Sequence, residues 1–286
     1  MRLFDSHAHI ISGDFSRYPV SPLSGTLDRK LDDPMTAERL LREMDTNSVE
    51  KAVIVQRAHV YGYNNSYVVD SAKQYADRLT AVCCIDPEAD DGADKVRYWI
   101  GERGATGIRL TEPYKNSGTG WVESAQAQAV WYAATELGAS VCLHLYRWNR
   151  DQCLPAVLSM IKQFPSTTVV IDHLSNNIAE QGAPDWGIDA ALTALADCPN
   201  VALKLSTLNY GWFAKCNIDP TPVIAKVIAT FGADRLMWGS DVAQSAGTYA
   251  ELIAQATQSI AGFADTEQRQ VLYDTTDRIY GAAFES

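Results

Sequence analysis

Phe4-Asp5-Ser6-His7-Ala8-His9-Ile10 is the stretch on which the reading of the fold turns. It reads as a short strand ending in two histidines one residue apart. Side chains at i and i+2 share a face of a strand, so Asp5, His7 and His9 are expected to point one way, with Leu3 below them as packing. No glycine-rich phosphate loop follows, which disfavours an open dinucleotide-binding sheet. Two imidazoles at the mouth of one strand can grip a divalent metal, because each offers a neutral nitrogen at about 2.0–2.1 Å. Taken alone, such a pair is weak evidence.

Downstream, strand-like and helix-like stretches alternate. Apolar runs suited to buried parallel strands are expected at 51–56, 79–85, 106–110, 140–145, 168–173, 201–206 and 235–241. Between and after them lie helical patterns at 37–47, 66–76, 91–102, 125–137, 151–164, 188–197, 222–231, 249–260 and 266–273. Thr36 is placed as the N-cap of the first, and Gly138 just past the end of the fourth. Eight strands in strict alternation imply a parallel sheet with right-handed crossovers, closed as a single (β/α)8 barrel over residues 1–286. Such a barrel is a common solution at about 250 residues. The segment 11–35, punctuated by Gly13, Pro19, Pro22, Gly25 and Pro34, reads as a lid or substrate-binding loop. Specificity is expected in that loop and in the rim segments 57–65, 111–121 and 207–220.

The 286 residues carry 24 Lys and Arg against 35 Asp and Glu, a net charge of −11. That balance argues against nucleic acid or an anionic membrane surface as partner. It leaves room for a small anionic substrate held by a local arginine, and a homo-oligomer stays open. The start lacks the apolar stretch of a signal peptide, and no run reaches membrane-span length, so a cytoplasmic location is expected. The six cysteines, Cys83, Cys84, Cys142, Cys153, Cys198 and Cys216, show no CxxC pair and read as reduced core thiols.

Barrel enzymes place their chemistry at the C-terminal ends of the strands. Four of the five histidines fall at such ends, and His59 lies just beyond one. His7, His9, His144 and Asp241 form a candidate metal set suited to a zinc-like ion, with manganese and a metal-free route as alternatives. The bland reading is a hydrogen-bonded polar layer. Against it, three converging imidazoles without a cation crowd their lone pairs or bring like charges together on protonation. His173 is placed to hydrogen-bond a substrate carbonyl or a developing oxyanion, and Asp241 to take a proton from water. Arg109 suits a carboxylate ligand or an internal ion pair, and Lys204 has the same two readings. His59 and Tyr210 are further candidates for substrate contact. Arg147, Trp148 and Arg150 either line a pocket or form a solvated loop, and the role of Asp5 stays open.

Together, Phe4–His9, Gly107-Ile-Arg-Leu110, Val170-Ile-Asp-His-Leu174, Pro199–Ser206 and Phe231–Asp241 resemble the amidohydrolase superfamily. The branch is that of 2-pyrone-4,6-dicarboxylate lactonase and related sugar- and muconolactone hydrolases. The resemblance implies a distorted barrel and hydrolysis of a lactone, with His7 and His9 as the first-strand pair. It implies His173 as the sixth-strand histidine, Asp241 as general base, and Arg109 as a carboxylate-holding arginine. The pyrone lactonase works without a metal, whereas His144 occupies a metal-binding position of metal-dependent relatives. Ser175-Asn176-Asn177 stands where lactonases commonly read Gly-Lys-Pro. Non-oxidative decarboxylation of an aromatic acid is the rival activity within the same superfamily.

Overall fold

The computed structural model describes residues 1–23, 31–112 and 115–285. Eight strands form one sheet in the order of the sequence: β1 Leu3–Ala8, β2 Val49–Val55, β3 Leu79–Cys84, β4 Gly107–Thr111, β5 Ser140–His144, β6 Val169–Ile171, β7 Val201–Ser206 and β8 Leu236–Gly239. Every paired neighbour is parallel. With helices between the strands, this is a (β/α)8 barrel. Thr36 caps the helix Ala37–Thr46 by accepting from Arg39 N–H, and that helix buries Leu40 and Met44. The central part of the 11–35 loop, residues 24–30, lies outside the described residues.

Strand parity sorts the core into two layers. Phe4, Val53, Val55, Val82, Cys142, Val170, Ala202 and Met237 fill the barrel interior, with Tyr273 and Tyr280 of the C-terminal segment packed against them. Their sequence neighbours Leu3, Ala52, Ile54, Val141, Ile171 and Leu203 belong to the outer layer. All six cysteines are free, five buried and Cys216 half-buried.

The seam between β8 and β1 is closed by other means than a regular ladder. Asp241 N–H donates to the His7 carbonyl at 2.7 Å, and His9 N–H to the Val242 carbonyl at 3.2 Å. The Asp5 carboxylate bridges the rest, accepting from His7 N–H, from Ser240 N–H and Oγ–H, and from Tyr249 Oη–H. Burial pushes the Asp5 carboxyl up, while these bonds pull it back. Asp5 therefore has a structural role. A Cβ on Gly239 would sit 2.5 Å from the Cβ of His7, so only glycine lets β8 approach β1 this closely.

Two expectations about local structure are corrected. Asp5 and His7 do not share a face: Asp5 reaches Tyr249 in the outer layer, whereas His7 reaches Lys204 and Asp172 inside. A register shift between Asp5 and Ala8 marks the irregularity that turns His7 inward. The segment 207–220 is not a plain loop, since Thr207–Lys215 is a helix standing on the rim.

Candidate active site

The polar residues converge around a cavity of about 540 Å³ at the C-terminal ends of the strands. His9, His144, His173 and Asp241 line it, together with Arg57 and Arg109. His173 reaches it through unusual backbone. Val170 and Asp172 point inward by strand parity, which would turn His173 outward. Instead His173, Leu174, Ser175 and Asn176 all take left-handed φ values of 49–56°. Such residues cost roughly 1–2 kcal/mol each when they are not glycine. The turn brings Asp172 and His173 into the same interior, and strain of this kind collects at functional sites. Asp241 is also left-handed, at φ 52°.

Asp172 is the electrostatic centre of the floor. Its Oδ2 accepts from Arg109 Nε at 2.7 Å, and its Oδ1 lies 3.3 Å from Lys204 Nζ and 3.5 Å from His7 Nδ1. Burial opposes ionisation, but Lys204 and Arg109 outweigh it and hold the carboxyl well below the usual range. For His144, burial and Arg109 together press the ring towards the neutral form. Burial likewise lowers His7 and His9, and brings His173 down to about 4. Asp241 runs the other way. Burial raises its carboxyl, yet its contact with His9 and the other imidazoles holds it below the usual range, and Ser245 Oγ–H donates to its Oδ2 at 2.9 Å.

Neutral histidines beside an ionised Asp241 fit a cation. His9 Nδ1–H donates to the Val55 carbonyl at 2.7 Å, so the lone pair of its Nε2 faces Asp241 Oδ1 at 3.2 Å. His7 Nε2 lies 3.7 Å from the same oxygen and has no hydrogen-bond partner. The Nε2 lone pair of His9 and the Asp241 carboxylate thus meet with no proton between them, and the unpartnered His7 Nε2 stands beside them. Ligand atoms each about 2.1 Å from a tetrahedral ion lie roughly 3.4 Å apart, close to the separations found here. His7, His9 and Asp241 form one of two groups of described residues able to hold an ion, the other being His7, Asp172 and His173. The second is already neutralised by Arg109 and Lys204.

His144 lies outside both groups. Its Nδ1 accepts from Arg109 Nη2 at 2.8 Å, and its ring sits 5.1 Å from that of His173. The expected four-residue metal set therefore reduces to three residues in this geometry. Lys204 and Tyr210 are corrected as substrate contacts, because neither lines the cavity. Lys204 is wholly buried against Asp172, and Tyr210 shares a hydrogen bond with Ser259 Oγ. Arg109 lines the cavity but spends its Nε on Asp172, the internal ion pair. His59 lines the rim.

The wall opposite is aromatic. Tyr146 and Trp148 stack at 4.1 Å with 8° between their planes. Trp148 Nε1–H donates to Glu112 Oε2, which also accepts from Asn149 Nδ2. Arg147 lies 4.0 Å over the Trp212 ring and pairs with Glu180. Arg150 is buried against Asp151 and Asp189 and does not reach the cavity. Sequence reasoning flagged the rim segments that hold Arg57, Glu112 and Trp212 without singling out these three. Glu112 follows β4 directly and Arg57 lies two residues past β2, so their nearness to strand ends was the available signal. Asp172 had one too, the parity it shares with Val170.

A parallel barrel with a metal-capable trio at its carboxyl rim defines the class of protein. The chain belongs to the amidohydrolase family, whose model matches residues 4–282. It is 35% identical over 106 residues to an L-fucono-1,5-lactonase from Burkholderia ambifaria, a match covering 34% of each chain. The matches span between about a third and a half of the length of the curated relatives. Among solved structures, a probable 2-pyrone-4,6-dicarboxylic acid hydrolase from Acinetobacter baumannii, solved with citric acid bound, is similar with a TM-score of 0.76. It is 19% identical, over 98% of this chain and 100% of the other. An amidohydrolase from Burkholderia multivorans with bound zinc has a TM-score of 0.73, with 19% identity over 98% of this chain and 99% of that one.

Proposed function

We propose that the cavity hydrolyses the ring ester of a small, carboxylated lactone. The observation that carries this reading is the placement of Asp241, whose Oδ1 lies 3.2 Å from His9 Nε2 at the wall of the cavity. A carboxylate so placed is a base for water. Water adds to the ring carbonyl carbon and gives its proton to Asp241. His173 donates a hydrogen bond to the carbonyl oxygen as negative charge grows there. The ring C–O bond then breaks, and the departing oxygen takes a proton back. His7, His9 and Asp241 would hold a divalent ion, zinc or manganese, which when bound supplies Lewis-acid polarisation of the carbonyl.

Arg57 and Lys115 offer positive charge to a substrate carboxylate, and the Tyr146–Trp148 stack offers a flat apolar face. The lactonase relative and the pyrone-dicarboxylate hydrolase neighbour point the same way. The test is a panel of carboxylated and sugar lactones, assayed with and without added zinc or manganese. Ring opening of a carboxylated lactone supports the proposal. Absence of turnover across the panel, or carbon dioxide release from a hydroxybenzoate-type acid instead, overturns it.

A further inference from the structure

The ring of His173 has a neighbour that bears on which nitrogen carries its proton. Ser206, the last residue of β7, is wholly buried, and its Oγ lies 2.5 Å from His173 Nδ1. The same turn of chain holds the backbone of His173. Asn209 Nδ2 donates to the His173 carbonyl at 2.8 Å, and Asn209 Oδ1 accepts from Ser206 N–H at 3.1 Å. Among the described residues, the hydroxyl proton of Ser206 has one acceptor within reach, His173 Nδ1. If Nδ1 carried the proton instead, the hydroxyl proton would be stranded in the interior, at a cost of about 1–3 kcal/mol. An oxygen lone pair left without a donor is the cheaper loss. The opposing contact is weaker. Arg109 Nη2 stands 3.4 Å from His173 Nε2, beyond the ordinary range for an N–H donor, while the 2.8 Å bond from the same nitrogen goes to His144.

We propose that Ser206 is a positioning residue that fixes His173 as the Nε2–H tautomer, so that the ring presents a hydrogen-bond donor, not a lone pair, to the cavity. His173 Nε2 is thereby removed from the metal-capable donors, and the ring is set to meet a substrate oxygen. The tautomer stands independently of the lactone reading; only its kinetic consequence rests on that reading.

Long-range proton–nitrogen correlation spectra of the full chain labelled with 15N-histidine test this directly. The His173 signals are assigned by their loss in His173→Gln. The wild type should show a protonated Nε2 and an unprotonated Nδ1, and Ser206→Ala should move the ring to a mixture of tautomers. Ser206→Thr, which keeps the hydroxyl, should restore the wild-type pattern. On whichever lactone the enzyme turns over, Ser206→Ala should lower kcat about 10–100-fold with KM little changed, the usual cost of losing a group that orients an active-site ligand. A protonated Nδ1 in the wild type overturns the proposal even if Ser206→Ala does not fold. So does an unchanged tautomer in a folded Ser206→Ala.

Discussion

Asp241 shows how much one side chain can be asked to do at this rim. Its carboxylate faces the lone pair of His9 Nε2 at 3.2 Å with His7 Nε2 at 3.7 Å, so it can serve both as ion ligand and as proton acceptor. Asp241→Asn keeps the shape and removes both. kcat should fall about 10²–10⁴-fold, and the content of bound zinc or manganese, read by elemental analysis, should drop with it. A variant that kept kcat would place the base elsewhere. The buried histidines make a second prediction, about pH. His173 is held near 4 when folded, against an ordinary value of 6.5. Between those values the unfolded chain binds a proton that the folded chain refuses, so stability rises with pH across the window and is lost as pH falls from about 6.5 towards 4. Urea midpoints of chelator-treated protein, taken at half-unit steps, should decline through that range at constant m-value. A flat profile from pH 7 to 4 would mean that the rings gain protons in place.

The seam between β8 and β1 sets the position of the whole site, because it carries His7 and His9 on one side and Asp241 on the other. Gly239 is what allows the approach. In Gly239→Ala the new methyl would meet the Cβ of His7 at 2.5 Å, inside van der Waals contact, and its backbone nitrogen at 3.1 Å, atoms of a strand with little freedom to retreat. Destabilisation of about 1–3 kcal/mol is expected from overpacking of this kind, together with a fall in kcat, since His7 must move. Thermal melting and kinetics on the same preparation check both; an unchanged melting temperature would show that the seam opens freely. The element scale is also where the reading of the sequence stopped short. Strand parity is a local rule. It put Asp5 and His7 on one face, and it would turn His173 outward, whereas a register shift and a left-handed turn break the alternation. Neither has a local signature in residue types, since Leu174, Ser175 and Asn176 are not the glycines that left-handed backbone favours. The helix Thr207–Lys215 was missed for a related reason. It buries Tyr210 and Phe213 but also carries Gly211 and Asn209, which weaken the helical pattern.

Across the whole molecule, the alternation of eight strands and the gathering of histidines at their ends were legible because each strand announces itself over five to seven residues. Which nitrogen faces which partner was not, since that depends on contacts such as Arg109 with His144, 35 positions apart along the chain. The same long-range closure leads to a last prediction. The trio His7, His9 and Asp241 draws on both ends of the chain, across the seam where the ladder is interrupted. An ion bound there ties the first strand to the last and binds only the folded chain. By mass action it should stabilise the protein by about 2.7 kcal/mol at a hundredfold excess over Kd. At roughly 2–4 °C per kcal/mol for a chain near this size, the melting temperature should rise about 5–10 °C over that of chelated protein. His144→Ala should keep most of that rise, because its ring answers to Arg109, whereas His9→Ala should abolish it. Titration of zinc and manganese into chelated protein, followed by calorimetry, separates the two outcomes. Equal loss in both variants would return His144 to the ligand set, and no rise in the wild type would leave Asp241 to work as a base beside neutral imidazoles alone.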